Sequence, residues 1–263
     1  MDKNHLLEMA GDSDLIPGIY NWCDRWCERC TLTSRCLQFN MEKNEKQTVN
    51  ALASDEKNAE FWAQLLEPLV LTMELIRDMA ERNGIDLDSI EVEAEMDEQK
   101  RNHQMASEHY CSRAALTYAG MVDEWFHSAK ELLQEKENEL HSIAQLGLVD
   151  RDPQKEANEI TDASEVIRWY QHFLYPKIMR ALLGKLRKVP PILEEMPTDF
   201  NGSAKIALIA IDRSIAAWYS MLCNFREKED DTLRLLVHLE QLSNALESAF
   251  PAARAFVRPG FKE

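Results

Sequence analysis

Apolar residues recur every three or four positions along most of this chain, the spacing that places them on one face of an α-helix. Segments with this spacing cover residues 17–41, 54–82, 99–145 and 152–184, and two more begin near residues 203 and 230. In the first segment a break is expected over residues 31–34, before Cys36. Short β-branched segments do not alternate with these helices, and the chain has only eight glycines. The pattern predicts an all-α protein, a single multi-helix bundle of about six helices with an N-terminal Cys-rich helical segment.

Local signals mark some of the predicted helix boundaries. Asp152 is a capping residue, and Pro153 follows it at the first helical position, where a proline is allowed. Gly84 is a stop signal for the helix that ends near residue 82. Pro68 and Pro176 fall inside predicted helices, where a proline removes a backbone hydrogen bond, so a kink is expected at each.

The fifth predicted helix is apolar on nearly all sides over residues 206–211 and 215–218. A helix that is apolar all round belongs in the interior, so this helix is expected at the centre of the bundle. Asp212 and Arg213 interrupt it. Adjacent helical residues point about 100° apart, so these two charges are expected to find partners on other helices.

Charge and length limit the classes of partner. The chain has 263 residues and a formal net charge of -16, which opposes nucleic acid and anionic lipid surfaces. No apolar stretch reaches the roughly 20 residues that span a bilayer, and the first residues do not have the pattern of a signal peptide. We expect a cytoplasmic protein that binds neither nucleic acid nor membrane and has an unidentified protein or redox partner.

Four of the six cysteines fall within fourteen residues, in the spacing C-x3-C-x2-C-x5-C. They are Cys23, Cys27, Cys30 and Cys36. In a reducing compartment, clustered thiols indicate metal or redox chemistry rather than structural disulfides. The sequence therefore predicts a metal-binding segment over residues 1–45, packed on a helical bundle over residues 46–263.

The spacing of the clustered cysteines favours an iron-sulfur cluster over zinc. On one straight helix Cys23 and Cys30 would be about 10 Å apart along the axis, too far for the sulfurs of one tetrahedral zinc site. A four-iron cluster tolerates more widely spread thiolates. Arg25, Arg29 and Arg35 would neutralise part of the thiolate charge from a second layer around the site.

Three readings of the cysteines follow. The leading one is an iron-sulfur cluster used for electron transfer, sensing or structure, and the alternative is zinc in a structural or interaction module without catalysis. The third has no metal: either buried thiols on an apolar stripe, or a redox pair formed by Cys27 and Cys30.

A ferritin-like di-iron oxidoreductase is a further alternative. Such sites need Glu-x-x-His pairs, and Glu124 and His127 form one in the third predicted helix. Additional carboxylates would come from Glu165 and from a seven-residue repeat of glutamates, Glu60, Glu67 and Glu74. The chain has no second Glu-x-x-His in its last two predicted helices.

A buried polar network is the other candidate site. Glu165, Arg168, His172 and Tyr175 lie near one stripe of the fourth predicted helix, and Asp212, Arg213 and His238 are candidates to join them from later helices. Such a group would form a hydrogen-bonded network or a small-molecule pocket. The sequence identifies no catalytic residue.

Overall fold

The computed structural model describes residues 11–42, 59–84, 92–146, 152–187 and 199–261. Within these ranges the all-α prediction is confirmed, because the regular elements are helices and no strand occurs. Eight α-helices are described, in place of about six. They are α1 (Ala59–Arg82), α2 (Val92–Glu108), α3 (Tyr110–Ser128), α4 (Lys130–Leu146), α5 (Pro153–Gln171), α6 (Leu174–Leu186), α7 (Asp199–Asn224) and α8 (Glu229–Ala249).

The helix count differs first because the predicted helix over residues 99–145 is interrupted twice. His109 has extended backbone angles, and its ring Nδ1 accepts a hydrogen bond from the Cys111 N–H at 3.2 Å, so it caps the start of α3. Ala129 separates α3 from α4. Inside the first break, the Ser112 hydroxyl donates to the Ala106 carbonyl at 2.6 Å. The break is thus stabilised by contacts that an apolar periodicity does not encode.

The predicted helix over residues 152–184 is also two helices. It breaks at His172 and Phe173, a few residues before the kink expected at Pro176. Pro176 therefore falls in the first turn of α6, where its missing N–H has no helical acceptor to lose. At the start of α5 the capping prediction is confirmed, since the Asp152 carboxylate accepts from the Lys155 N–H at 3.0 Å.

The chain divides into two compact units, Met1–Gln99 with Arg258–Glu263, and Lys100–Val257. In the second unit, α3 and α7 each pack against the same three helices, α5, α6 and α8. Helix α4 packs on α5. Twelve of the 26 residues of α7 are buried, as expected for a helix that is apolar nearly all round. The predicted domain boundary between residues 45 and 46 lies outside the described residues.

Aromatic side chains fill the interior of the second unit. Trp125 meets Trp218 and Phe225 edge to face, with ring centroids 5.1 Å and 6.0 Å apart. The Trp125 indole N–H donates to the Thr232 hydroxyl at 3.0 Å, so this buried donor is paired. These contacts join α3, α7 and α8.

Helix α7 is long and apolar enough to cross a membrane, with a mean hydropathy of 1.4 over its best 18 residues. Half of that window is buried inside the protein, and the core helix of a soluble protein meets the same criterion.

Candidate functional site

Short turns, not a long helix, build the thiol segment, which we define as residues 19–36. It contains the 3-10 helices Ile19–Trp22, Cys27–Arg29 and Thr33–Arg35, and α-helical backbone begins only at residue 37. The helix predicted over residues 17–41 is therefore wrong for the segment that carries the cysteines. Gly18 and Arg25 have φ of 70° and 58°, left-handed values that a right-handed α-helix does not contain.

The four clustered cysteines are half-buried free thiols that do not share one helical stripe. Cys27 opens a 3-10 turn, and Cys30 follows that turn with extended backbone angles. The Cys23 thiol donates to the Tyr20 carbonyl at 3.5 Å, while the Leu32 N–H donates to Cys30 Sγ at 3.4 Å. Two of the four sulfurs are thus held by backbone groups.

Burial and neighbouring negative charge both act on the Cys27 thiol. The pKa of Cys27 is raised, mainly because burial disfavours the thiolate, and then because of negative charge on its neighbours. Those neighbours are Cys23, Glu42, Cys36 and Cys30. The environment therefore favours the neutral thiol at Cys27.

The side-chain arrangement overturns the predicted metal functions. Among the described residues, which include all six cysteines, no group of three or more His, Cys, Asp or Glu side chains is placed to hold a metal ion. The predicted iron-sulfur protein and zinc-stabilised module are wrong. The physical reason is local: separate turns orient the four thiols independently, and backbone contacts hold two of the sulfurs.

The di-iron alternative is wrong for the same reason. Glu124, His127 and Glu165 are all exposed, as is Glu74 of the glutamate repeat, and no described carboxylate cluster surrounds His127. The side chains of Glu60 and Glu67 lie outside the described residues. A di-iron site would need its ligands to project into a helical core.

The three arginines of the thiol segment have other contacts. Arg25 pairs with Glu42 at 3.6 Å, and the guanidinium of Arg29 stacks 4.0 Å from the centre of the Trp26 ring. Arg35 donates from Nε to the Asp14 carbonyl at 2.9 Å. Since the described residues form no metal site, these arginines do not surround one. Their contacts stabilise the turns instead.

Residues near the C-terminus complete the packing of the thiol segment. Arg258 is buried and donates to the Trp22 carbonyl at 3.5 Å, one residue before Cys23. Gly260 has φ of +80°, and a Cβ there would lie 2.6 Å from Ile16 Cδ1. Sequence reasoning missed both residues, because they follow the last helix and carry no periodic signal.

The predicted buried polar network is not formed. Glu165, His172, Asp212 and Arg213 are all exposed. Glu165 lines a surface cleft of about 570 Å³ between α4 and α5, whereas Arg213 lines another of about 650 Å³ between α5 and α7. His172 lies at the C-terminal end of α5. Helix α5 ends at residue 171, and Glu165 and Arg213 line separate clefts. The residues of the predicted stripe therefore do not line a common pocket.

The polar residues around that stripe contact different groups. Arg213 donates to the Tyr170 hydroxyl at 2.6 Å, and Arg168 pairs with Asp123 at 2.9 Å. The ring Nε2 of His238 contacts the Ala114 carbonyl at 2.8 Å. Each contact joins a pair of helices, which indicates a structural role.

Asp212 pairs with Arg254, a residue that the sequence did not single out. The Arg254 guanidinium forms two hydrogen bonds with the Asp212 carboxylate and a third with Glu247 at 2.7 Å. These bonds raise the pKa of Arg254, with the Asp212 hydrogen bond as the largest cause. The expected partner on another element therefore exists, but it lies in the turns after α8 and at the surface.

The chain matches no protein-family model, and no curated protein or solved structure is significantly similar to it.

Proposed function

We propose that this protein is a thiol redox protein in which Cys27 and Cys30 interconvert between a dithiol and a disulfide. The observation that carries the proposal is the hydrogen-bonded turn that joins these two residues. The redox partner is a thiol or disulfide compound, either a small molecule or another protein.

The geometry of the turn favours a disulfide between its ends. The Cys30 N–H donates to the Cys27 carbonyl at 3.2 Å, which closes the turn Cys27–Arg29 onto Cys30. Such a turn brings its first and fourth Cα atoms within about 7 Å, and disulfides join Cα atoms roughly 4.4–6.8 Å apart. The backbone of the turn therefore holds the two Cα atoms at about the separation that a disulfide spans.

Exposure also supports the proposal. Both residues are half-buried, so a partner disulfide can reach them, in contrast to Cys111, which is fully buried. Burial raises the pKa of Cys111 to about 11, which leaves it largely as an unreactive thiol at neutral pH. The half-buried cysteines of the thiol segment are thus more accessible to a partner than Cys111.

The proposed reaction is a balanced exchange. Oxidation of the two thiols releases two electrons and two protons and forms one sulfur–sulfur bond, while a partner disulfide takes up the electrons and protons and becomes two thiols. In a reducing cytoplasm the dithiol is the resting form, and the disulfide is transient.

The test is a redox titration of the full-length protein in buffers of oxidised and reduced glutathione, followed by thiol blocking and peptide mass spectrometry. We expect a reversible two-electron transition whose product contains a Cys27–Cys30 disulfide. Cys27→Ser and Cys30→Ser should each abolish it, whereas the control Cys223→Ser, at an exposed position distant in sequence, should leave it unchanged. A protein that stays fully reduced in the most oxidising buffer, or that forms only other disulfides, would contradict the proposal.

A further inference from the structure

We infer that Cys30 is the sulfur that attacks a partner disulfide and that Cys27 is the sulfur that resolves the mixed disulfide. This assignment rests on the proposed dithiol function and adds the order of the two steps. It is based on what each sulfur contacts in the thiol segment.

A backbone donor faces the sulfur of Cys30. The Leu32 N–H lies 3.4 Å from Cys30 Sγ, and the hydrogen bond is local because Leu32 is only two residues further along the chain. An N–H donor stabilises negative charge on sulfur more than it stabilises the neutral thiol. This contact places a backbone donor directly against the Cys30 sulfur, the atom that would form the new bond to a partner.

The surroundings of Cys27 have the opposite effect. Burial disfavours its thiolate, and Glu42 and the neighbouring sulfurs add negative charge. A sulfur in this setting is a poor first nucleophile toward a molecule from solution. It suffices for the second step, because attack on an adjacent sulfur in the same turn is intramolecular and gains from proximity.

The two steps balance. The Cys30 thiolate attacks one sulfur of the partner disulfide, so a mixed disulfide forms and the first partner thiolate leaves and takes a proton. The Cys27 thiol then gives its proton to solvent and attacks the Cys30 sulfur. The mixed disulfide breaks, the Cys27–Cys30 bond forms, and the second partner thiolate leaves and is protonated.

The test uses full-length protein and oxidised glutathione as the probe disulfide, with adducts located by peptide mass spectrometry. The Cys27→Ser variant should accumulate a stable glutathione adduct on Cys30. The Cys30→Ser variant should form its adduct on Cys27 about tenfold more slowly, the effect of one hydrogen bond to a charged sulfur. Equal rates in the two variants, or faster reaction at Cys27, would overturn the assignment.

A second measurement avoids substitution in the turn. Limited alkylation of the reduced wild-type protein with iodoacetamide should label Cys30 before Cys27, and the reverse order would contradict the assignment. These measurements distinguish an error in the dithiol function from an error in the order of the two steps. If the wild-type protein forms no Cys27–Cys30 disulfide, the dithiol function is wrong. If it forms the disulfide but Cys27 reacts first, only the order of the steps is wrong.

Discussion

Trp218 donates a hydrogen bond from its indole Nε1 to the hydroxyl of Tyr118 at 3.0 Å, and both side chains are fully buried. This bond joins α7 to α3 in the interior of the second unit. Removing the hydroxyl leaves a buried N–H without its partner, which costs more free energy than the bond itself contributes. Substitution of Tyr118 therefore tests how much this buried hydrogen bond contributes to the stability of the core.

Tyr118→Phe should lower the free energy of unfolding by about 1–3 kcal/mol, because the Trp218 N–H loses its acceptor in a site that water does not reach. Urea denaturation followed by tryptophan fluorescence measures the change. The matched control is Tyr219→Phe, since Tyr219 is 64% exposed and its loss should fall within about 0.5 kcal/mol of zero. Equal effects of the two substitutions would contradict this account of the core.

Tyr118 should also make stability depend on alkaline pH. Burial raises its pKa from 10.0 to about 12, so the folded state holds the phenol proton more tightly than the unfolded state. Its stabilising contribution is complete below pH 10 and is lost as the pH rises toward 12, by about 3 kcal/mol in total. The measurement is the difference in unfolding free energy between the wild type and Tyr118→Phe from pH 9 to 12. A difference that stays constant across this range would show that the phenol is not buried as described.

Two helical glycines should respond to alanine with opposite signs. A Cβ at Gly120 would meet nothing within 4 Å, so Gly120→Ala should stabilise the protein by about 0.5–1 kcal/mol through reduced entropy of the unfolded chain. At Gly184 the Cβ would lie 3.1 Å from Phe200 Cβ, so Gly184→Ala should destabilise by about 1 kcal/mol through overpacking. Thermal unfolding of both variants provides the comparison. Stabilisation by both would mean that α6 and α7 do not approach closely at this point.

The ion pair between Arg254 and Asp212 should contribute little to stability. Their side chains are 41% and 49% exposed, and exposed pairs typically contribute less than about 1 kcal/mol. A double-mutant cycle with Asp212→Ala and Arg254→Ala measures the coupling energy, which should shrink further in 1 M salt. A coupling above about 2 kcal/mol that salt does not reduce would indicate a buried pair instead.

The long apolar periodicities correctly predicted the helical class, and α7, the most apolar of the predicted helices, has twelve of its 26 residues buried. Signals at helix ends were also reliable, because capping depends on interactions within a few residues. The Asp152 carboxylate caps the start of α5, and Gly84, with φ of 65°, follows the end of α1. Such signals act within one turn of the chain. They therefore need no knowledge of what packs against the helix.

The candidate site was harder to predict, because its geometry depends on residues with no local preference. An arginine has no intrinsic tendency to adopt the left-handed conformation seen at Arg25, yet this residue separates the turns that carry Cys23 and Cys27. The helical spacing predicted that the cysteines share one face of a helix. In the structure they lie in separate turns, so each sulfur has different neighbours. The role of Arg258 had no sequence signal, because its acceptor is the Trp22 carbonyl, 236 residues away.

The sequence by itself determined that this chain is helical, which of its helices is the most apolar, and where four of its six cysteines are clustered. Tertiary structure alone decided where the long helices break, that the polar residues of the predicted network are exposed, and which groups face Cys27 and Cys30. The physical reason is the range of the interactions. Helix formation and capping are set by residues within a few positions, while burial, hydrogen-bond partners and electrostatic surroundings depend on residues that only the folded chain brings together.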